Sequence, residues 1–129
     1  MSFEISWYIP ERVIFVRITG ELDINAVEEM AKAAREEIEI GIAPIHILLD
    51  DTKGGRPPIS LNQLKSRLEI AKNPSLGWII GIGETDPVAK FLIPLLMNIM
   101  NISFTRVASI EDALKFLVKH DMSLEEYVS

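Results

Sequence analysis

The chain has 129 residues, of which 48% are hydrophobic and 25% are charged, and it contains no cysteine. This length predicts one domain over residues 1–129, and the apolar fraction excludes a wholly disordered chain. The absence of cysteine excludes disulfides, thiolate zinc sites and a cysteine nucleophile. Thirteen Lys and Arg against 19 Asp and Glu give a net charge of −6. That balance argues against a general nucleic-acid or anionic-membrane binder.

The first residues, MSFEISWYIPER, contain no basic segment followed by an apolar run. They therefore lack the features of a secretory signal peptide. We accordingly expect a cytoplasmic protein.

Two strands and a helix are predicted in the first third of the chain. Residues 3–9 and 12–19 alternate apolar and polar side chains, and the short turn between them predicts an antiparallel hairpin. Apolar positions then recur at helical spacing over residues 23–40. Asn25 with Glu28 is the predicted capping pair of this helix.

The next predicted elements alternate between strand and helix. Residues 44–50 and 77–83 are short apolar runs of the kind that form buried strands. Between them, Ser60 is predicted to open a second helix that Pro74 ends. Because strands joined through helices usually lie parallel, this region predicts a mixed sheet.

The last third of the chain repeats the pattern. Asp86-Pro87 predicts the start of a third helix that reaches about residue 100, because Asp caps free amides and Pro tolerates the first helical position. A short strand over residues 103–107 and a fourth helix capped by Ser109 follow. The predicted fold is α/β, with the order β-β-α-β-α-β-α-β-α.

Three segments carry a resemblance to a known family. They are the hairpin with RVI at 12–14 and TGELD at 19–23, the strand IHILLD at 45–50, and SIEDAL at 109–114. Together they resemble the STAS domains, the bacterial anti-sigma-factor-antagonist-like family, over nearly the whole chain. The resemblance implies a small cytoplasmic domain with a mixed sheet, helices packed mainly on one face, and a regulatory role through protein binding.

One segment departs from that family. Its phosphorylatable members carry an Asp-Ser-Ser-Gly type motif at the start of the second helix, whereas residues 50–60 here read DDTKGGRPPIS. The chain is therefore more similar to divergent STAS-like proteins without that motif. Ser60 is interpreted first as a helix cap. Phosphorylation of Ser60 or Thr52 is the alternative.

The loop over residues 50–58 is the predicted binding site for a ligand or partner. Ligand sites in parallel α/β sheets gather beyond the carboxyl ends of strands, where loops 20–25, 50–59 and 83–87 should meet. Free amides of the helices that follow, together with cationic side chains, would receive a phosphate or carboxylate. The alternative is a solvated loop without a ligand. The candidate residues are Asp50, Asp51, Thr52, Lys53, Arg56, Ser60, Glu84 and Asp86.

The sequence does not predict a catalytic or metal site. His46 lies in an apolar strand and His120 near a helix end, so the two histidines do not have the spacing of a ligand pair. A triad could be drawn from Ser60, His46 and Asp50, but no nucleophile elbow supports it. We therefore expect no catalytic residue, no metal and no cofactor, and hence a non-enzymatic protein.

The third helix has more apolar surface than one sheet face can cover. Between residues 88 and 102 the polar side chains are Lys90, Asn98 and Asn101. Fifteen residues with Pro94 among them are too short to span a membrane. Either a neighbouring helix or a second copy of the chain must cover the surplus. The predicted homodimer interface consists of Phe91, Leu92, Leu95, Leu96 and Met100.

The leading functional prediction is a homodimeric regulatory or protein-interaction module that uses the loop edge. The alternative is a carrier or sensor of a small apolar or anionic ligand, lipid-like or nucleotide-like. That class resembles lipid-binding domains of related fold, and a closed apolar cavity beside the third helix would favour it. An enzyme ranks third.

Overall fold

The computed structural model describes residues 2–58 and 60–128. Within these residues two short 3₁₀ turns, Glu69–Ala71 and Met122–Leu124, accompany the regular elements. Those elements, in chain order, are β1 (Phe3–Ile9), β2 (Val13–Ile18), α1 (Ile24–Ile40), β3 (Ile45–Asp50), α2 (Leu61–Leu68), β4 (Leu76–Ile82), α3 (Pro87–Ile99), β5 (Phe104–Val107), α4 (Ile110–His120) and α5 (Glu125–Val128).

The five strands form one sheet in sequence order. β1 runs antiparallel to β2, and the other neighbouring pairs are parallel. The predicted hairpin is closed by a tight turn in which the Arg12 amide donates to the Ile9 carbonyl at 3.0 Å. Pro10 at its second position and a φ of 66° at Glu11 match a type II turn. The predicted α/β class with a mixed sheet is confirmed.

The helices cover both faces of the sheet. Val27 of α1, Leu64 of α2 and Leu92 of α3 share one buried cluster on the first face. Three right-handed crossovers that step along the sheet in one direction place their helices together in this way. α4 covers the opposite face, where Ala113 and Leu117 pack with core residues of the strands. The predicted packing of helices mainly on one face therefore holds for α1 to α3, whereas α4 packs on the opposite face.

Side chains cap the helix starts. The predicted cap Asn25 is wrong: α1 begins at Ile24, and the carboxylate of Asp23 accepts from the Ala26 amide at 2.8 Å. The residue just before the first helical residue has a non-helical backbone conformation, which lets its side chain accept from the free amides of the first turn. The other predicted caps are confirmed at Ser60, Asp86 and Ser109.

β4 contains a bulge opposite β3. The pairing passes from Ile45 with Leu76 to Ile47 with Ile79, so two residues of β4, Gly77 and Trp78, oppose one residue of β3. A bulge of this kind takes a backbone amide out of the regular ladder. That amide therefore needs another acceptor.

Candidate functional site

An apolar cavity of about 110 Å³ lies where the carboxyl ends of the strands meet the three helices of the first face. The loop after β3 passes over it. α1, α2 and α3 contribute Val27, Leu64, Ala89, Leu92 and Leu96 to its wall, and the loop contributes Gly54, Gly55, Pro57 and Pro58. These loop residues are half-buried, so the cavity lies directly beneath the surface.

The polar side chains in the cavity wall already have partners. Among the described residues that line it, Asp51 and Thr85 are the ones with polar side chains. The Thr85 hydroxyl donates to the Asp51 carbonyl at 3.3 Å. The Asp51 carboxylate is held by Arg106. What the wall offers a ligand is therefore hydrocarbon.

Asp51 and Arg106 form a buried bidentate ion pair. Nη1 and Nη2 of Arg106 each donate to one carboxylate oxygen of Asp51 at 2.9 Å, and Nη1 also donates to the Gly83 carbonyl at 3.2 Å. The two side chains are 4% and 16% exposed. Asp51, one of the predicted ligand-binding residues, lies in the cavity wall, but its carboxylate is buried and paired with Arg106.

Sequence reasoning missed Arg106. Its guanidinium passes over β4 at Gly81, where an added Cβ would lie 2.8 Å from Cζ of Arg106. In the sheet register, Gly81 lies between Leu49 of β3 and Arg106 of β5. A glycine within a strand marks such close approaches, and Gly81 was the available signal.

Asp50 and Thr52 interact with each other at the surface. The Asp50 carboxylate accepts from the amide of Thr52 at 3.1 Å and from its hydroxyl at 2.7 Å. Arg17 of β2 approaches the same carboxylate at 3.7 Å. Both predicted site residues thus lie at the expected edge, where they stabilise the turn after β3.

The remaining acidic residues and Ser60 support the helix starts. Glu84 pairs with Lys90 at 3.5 Å, and the Asp86 carboxylate accepts from the Val88 amide at 2.9 Å. The Ser60 hydroxyl accepts from the amide of Gln63 at 3.3 Å. The helix starts were predicted to receive an anion through free amides. The capping side chains hold amides of both helices, and a carboxylate at α3 disfavours a second anion there.

The structure brings the three predicted loops together beside the cavity. Gly55 lies against Glu21, whose Cγ would be 2.5 Å from an added Cβ, and Gly83 lies close to Thr52. Lys53 and Arg56 are exposed between these contacts. Within residues 2–58 and 60–128, neither of the two forms an ion pair. Position 59, the last of the predicted 50–59 loop, lies outside the described residues.

A second polar cluster lies at the opposite edge of the sheet, around His46. Its Nδ1 accepts from the Trp78 amide at 2.9 Å, and its Nε2 is 2.9 Å from Oδ2 of Asp121. Because a backbone amide only donates, these partners assign a neutral imidazole with its proton on Nε2. Burial lowers the pKa of His46, and the hydrogen bond to Asp121 partly opposes that shift. His46 thus accepts from the amide that the β4 bulge displaces.

Asp121 is the centre of this cluster. Arg12 donates to its Oδ2 at 3.0 Å, and the hydroxyl of Ser123 donates to its Oδ1 at 2.5 Å. Burial alone would raise the pKa of Asp121, but hydrogen bonds from Ser123 and His46 outweigh it and hold that pKa below its usual value. The arrangement anchors the segment after α4 to the start of β2 and β3.

Among the described residues, neither edge of the sheet contains a hydrolase triad. The hypothetical set of Ser60, His46 and Asp50 is not assembled, because His46 is near the start of β3 and Asp50 is its last residue. In the His46 cluster an aspartate lies between serine and histidine, whereas a triad needs the histidine in the middle. Among the described residues no group of three acidic or histidine side chains is placed to hold a metal ion.

α3 presents apolar side chains both inward and outward. Leu92, Leu96 and Met100 are 7%, 3% and 2% exposed and pack inside the same chain. Their assignment to a dimer interface is wrong, because a neighbouring copy could not reach them. The exposed apolar side chains of the helix are Phe91, Leu95 and Ile99, at 74%, 37% and 49%. In the part of the chain that is described, no helix has the length and apolarity to cross a bilayer.

No family model matches the chain, and no curated protein matches it. The likeness to STAS domains therefore stands as a proposal that rests on the sequence segments and their order.

Proposed function

We propose that this protein binds a small apolar group in the cavity beneath residues 50–58 and acts as a carrier or sensor without catalysing a reaction. The observation that supports this proposal is the composition of the cavity wall, whose polar side chains, Asp51 and Thr85, are both already hydrogen-bonded. A cavity with such a wall favours a hydrocarbon group over water, because water would find few partners there.

The cavity volume limits the size of that group. An engineered apolar cavity of roughly 150 Å³ binds benzene, so about 110 Å³ suits a group of roughly four to six carbon atoms. Sites for drug-sized molecules are larger, about 300 Å³ or more. A long lipid chain would therefore need the helices to move apart.

The resemblance to STAS domains supports a regulatory use of this binding in the cytoplasm. Such domains act through other proteins rather than by catalysis. We propose that occupancy of the cavity is the signal and that the protein is a divergent member of that family. The position of the cavity at the carboxyl ends of parallel strands, where α/β proteins commonly bind ligands, supports the same assignment.

Filling the cavity tests this function. Ala89 is buried in the wall, so Ala89→Leu should occupy most of the space while keeping a good helix former in α3. Benzene should raise the melting temperature of the natural protein. At a benzene concentration of roughly five times its Kd, the free energy of unfolding should rise by about 1 kcal/mol. Ala89→Leu should lose that response. Ala33→Leu in α1, outside the cavity wall, is the matched control and should keep it. A natural protein that gains no stability from benzene and does not bind a small linear alcohol such as hexanol would overturn the proposal.

The outer face of α3 favours a second candidate function, association with another copy. Phe91, Leu95 and Ile99 are four residues apart, so they form one exposed apolar stripe. We expect sedimentation to show a dimer at micromolar concentration and Phe91→Glu to convert it to a monomer. Lys90→Glu changes charge at an exposed position beside the stripe and should leave the dimer intact. A natural protein that sediments as a monomer would eliminate this candidate.

A further inference from the structure

We propose that the ligand of this cavity is a short-chain carboxylate, with its hydrocarbon end in the cavity and its anionic head held at the rim by Lys53 and Arg56. This inference rests on the proposed function and specifies the polar end of the ligand. It follows from the charges around the cavity, from the chain positions of the two cations, and from the volume of the cavity.

The acidic side chains at the rim are already engaged. Asp51 is paired with Arg106, and Asp50 is approached by Arg17. Glu84 is paired with Lys90, and the Asp86 carboxylate is held by amides of α3. These groups contribute little net charge toward a ligand, because each is balanced by a cation or a helix start.

The cations of the loop are not balanced in this way. Lys53 and Arg56 are exposed and form no ion pair within the described residues. The acid that lies against the same loop is Glu21, which contacts Gly55. Asp23 of loop 20–25 is held at the start of α1 by the Ala26 amide. Among the rim side chains without such a partner, two cations and one acid leave a residual charge of +1, which suits a monoanion such as a carboxylate.

The two cations are next to residues of the cavity wall in the chain. Lys53 directly precedes Gly54, and Arg56 lies between Gly55 and Pro57, all of which line the cavity. The wall itself has no vacant polar side chain among the described residues, so the polar end of a ligand must lie outside it. A ligand with an apolar end of about four to six carbons would then place its head beside the loop.

The experiment compares three probes that share one hydrocarbon chain: hexanoate, hexanol and hexylamine. Titration calorimetry at neutral pH should give affinities in the order hexanoate, hexanol, hexylamine. Lys53→Gln/Arg56→Gln should weaken hexanoate roughly fivefold to tenfold, to the level of hexanol, because exposed charge pairs are individually weak. The affinity for hexanol should stay unchanged, which shows that the variant retains its cavity.

Two further variants isolate the rim charge. Lys32→Gln/Arg35→Gln changes the net charge of the protein equally but removes cations that pair with acids of α1, so hexanoate affinity should be unchanged. Glu21→Gln should strengthen hexanoate by about twofold to threefold without affecting hexanol. Added salt should reduce the preference for hexanoate in the natural protein.

The outcomes separate this inference from the proposed function. Equal affinity for hexanoate and hexanol, or a preference for hexanoate that survives Lys53→Gln/Arg56→Gln, would overturn the head-group inference and leave the apolar cavity function standing. Binding of none of the three probes, together with no response to benzene, would overturn the proposed function itself.

Discussion

The two edges of the sheet each bury an arginine–aspartate pair, but the pairs have very different surroundings. We call the side of the sheet where the parallel strands begin the amino edge, and the side where they end the carboxyl edge. At the amino edge, the carboxylate of Asp121 is contacted by Arg12, His46 and Ser123. At the carboxyl edge, the carboxylate of Asp51 has Arg106 as its hydrogen-bond partner, and the pair borders the cavity.

This difference shows what a buried polar group does and does not indicate. A buried charge needs a partner wherever it lies, so the pairs alone do not identify a binding site. At the amino edge several hydrogen bonds converge on Asp121 and fix the segment after α4 to the sheet. At the carboxyl edge the ion pair leaves the neighbouring wall apolar, and there the structure has space for a ligand.

The largest effect should come from removing one arginine at each edge. Arg106→Met leaves the buried Asp51 without its ion partner and should cost about 3–5 kcal/mol. Arg12→Met should cost less, about 2 kcal/mol, because Asp121 keeps the hydrogen bonds from His46 and Ser123. Urea unfolding measures both, and the exposed Arg35→Met is the control, with an effect below about 0.5 kcal/mol. Equal costs at the two edges would contradict the distinction between a network and an isolated pair.

A smaller effect is expected from crowding the amino edge. In Gly77→Ala the new Cβ would lie 2.5 Å from Nδ1 of His46, whose ring is fixed by hydrogen bonds on both nitrogens. Overpacking of this kind costs about 1–3 kcal/mol. Gly20→Ala is the matched control, because nothing lies within 4 Å of its added Cβ. A melting temperature unchanged by Gly77→Ala would show that the network is looser than its contacts indicate.

The smallest effect should be a pH dependence confined to the amino edge. Unfolded His46 titrates near 6.5, and burial lowers its pKa in the folded protein. At a pH between the folded and the unfolded pKa, the unfolded chain carries a proton on His46 that the folded protein does not. The contribution of His46 to the free energy of unfolding is therefore fully present above about pH 6.5 and falls as the pH is lowered, by at most ~1.4 kcal/mol per pH unit. His46→Gln should reduce this slope in unfolding experiments. His120→Gln, which removes an exposed imidazole, should preserve it, and loss of the slope in that control instead would exclude His46 as its source.

Local patterns predicted much of the fold. The hairpin turn and the caps at Ser60, Asp86 and Ser109 depend on residues close in sequence, and these predictions are confirmed. The pairs Asp51–Arg106 and His46–Asp121 join residues 55 and 75 positions apart, and spacing alone carries no information about them. The sequence signals of these pairs were Gly77 and Gly81 of β4, which leave space for the side chains of His46 and Arg106.

The α3 prediction was limited for a related reason. Helical periodicity showed that the apolar surface was too wide for one face, but it did not show which side would meet the other helices. Packing by α1 and α2 decides that Leu92 and Leu96 are inside and that Phe91 is outside. The loop residues lie at the edge of the sheet where the strand ends were expected to bring them, whereas their ion pairs depend on Arg17, Lys90 and Arg106, which sequence spacing did not connect to them.

The contact between Arg12 and Asp121 has a consequence for how the protein is made. The two residues are 109 positions apart, so a growing chain has already produced the first hairpin long before the aspartate emerges from the ribosome. Until then the guanidinium must stay hydrated, and the start of β2 cannot be sealed from water. Closure of the amino edge is therefore a late event in biosynthesis, and nascent chains that end before residue 121 would keep that edge open.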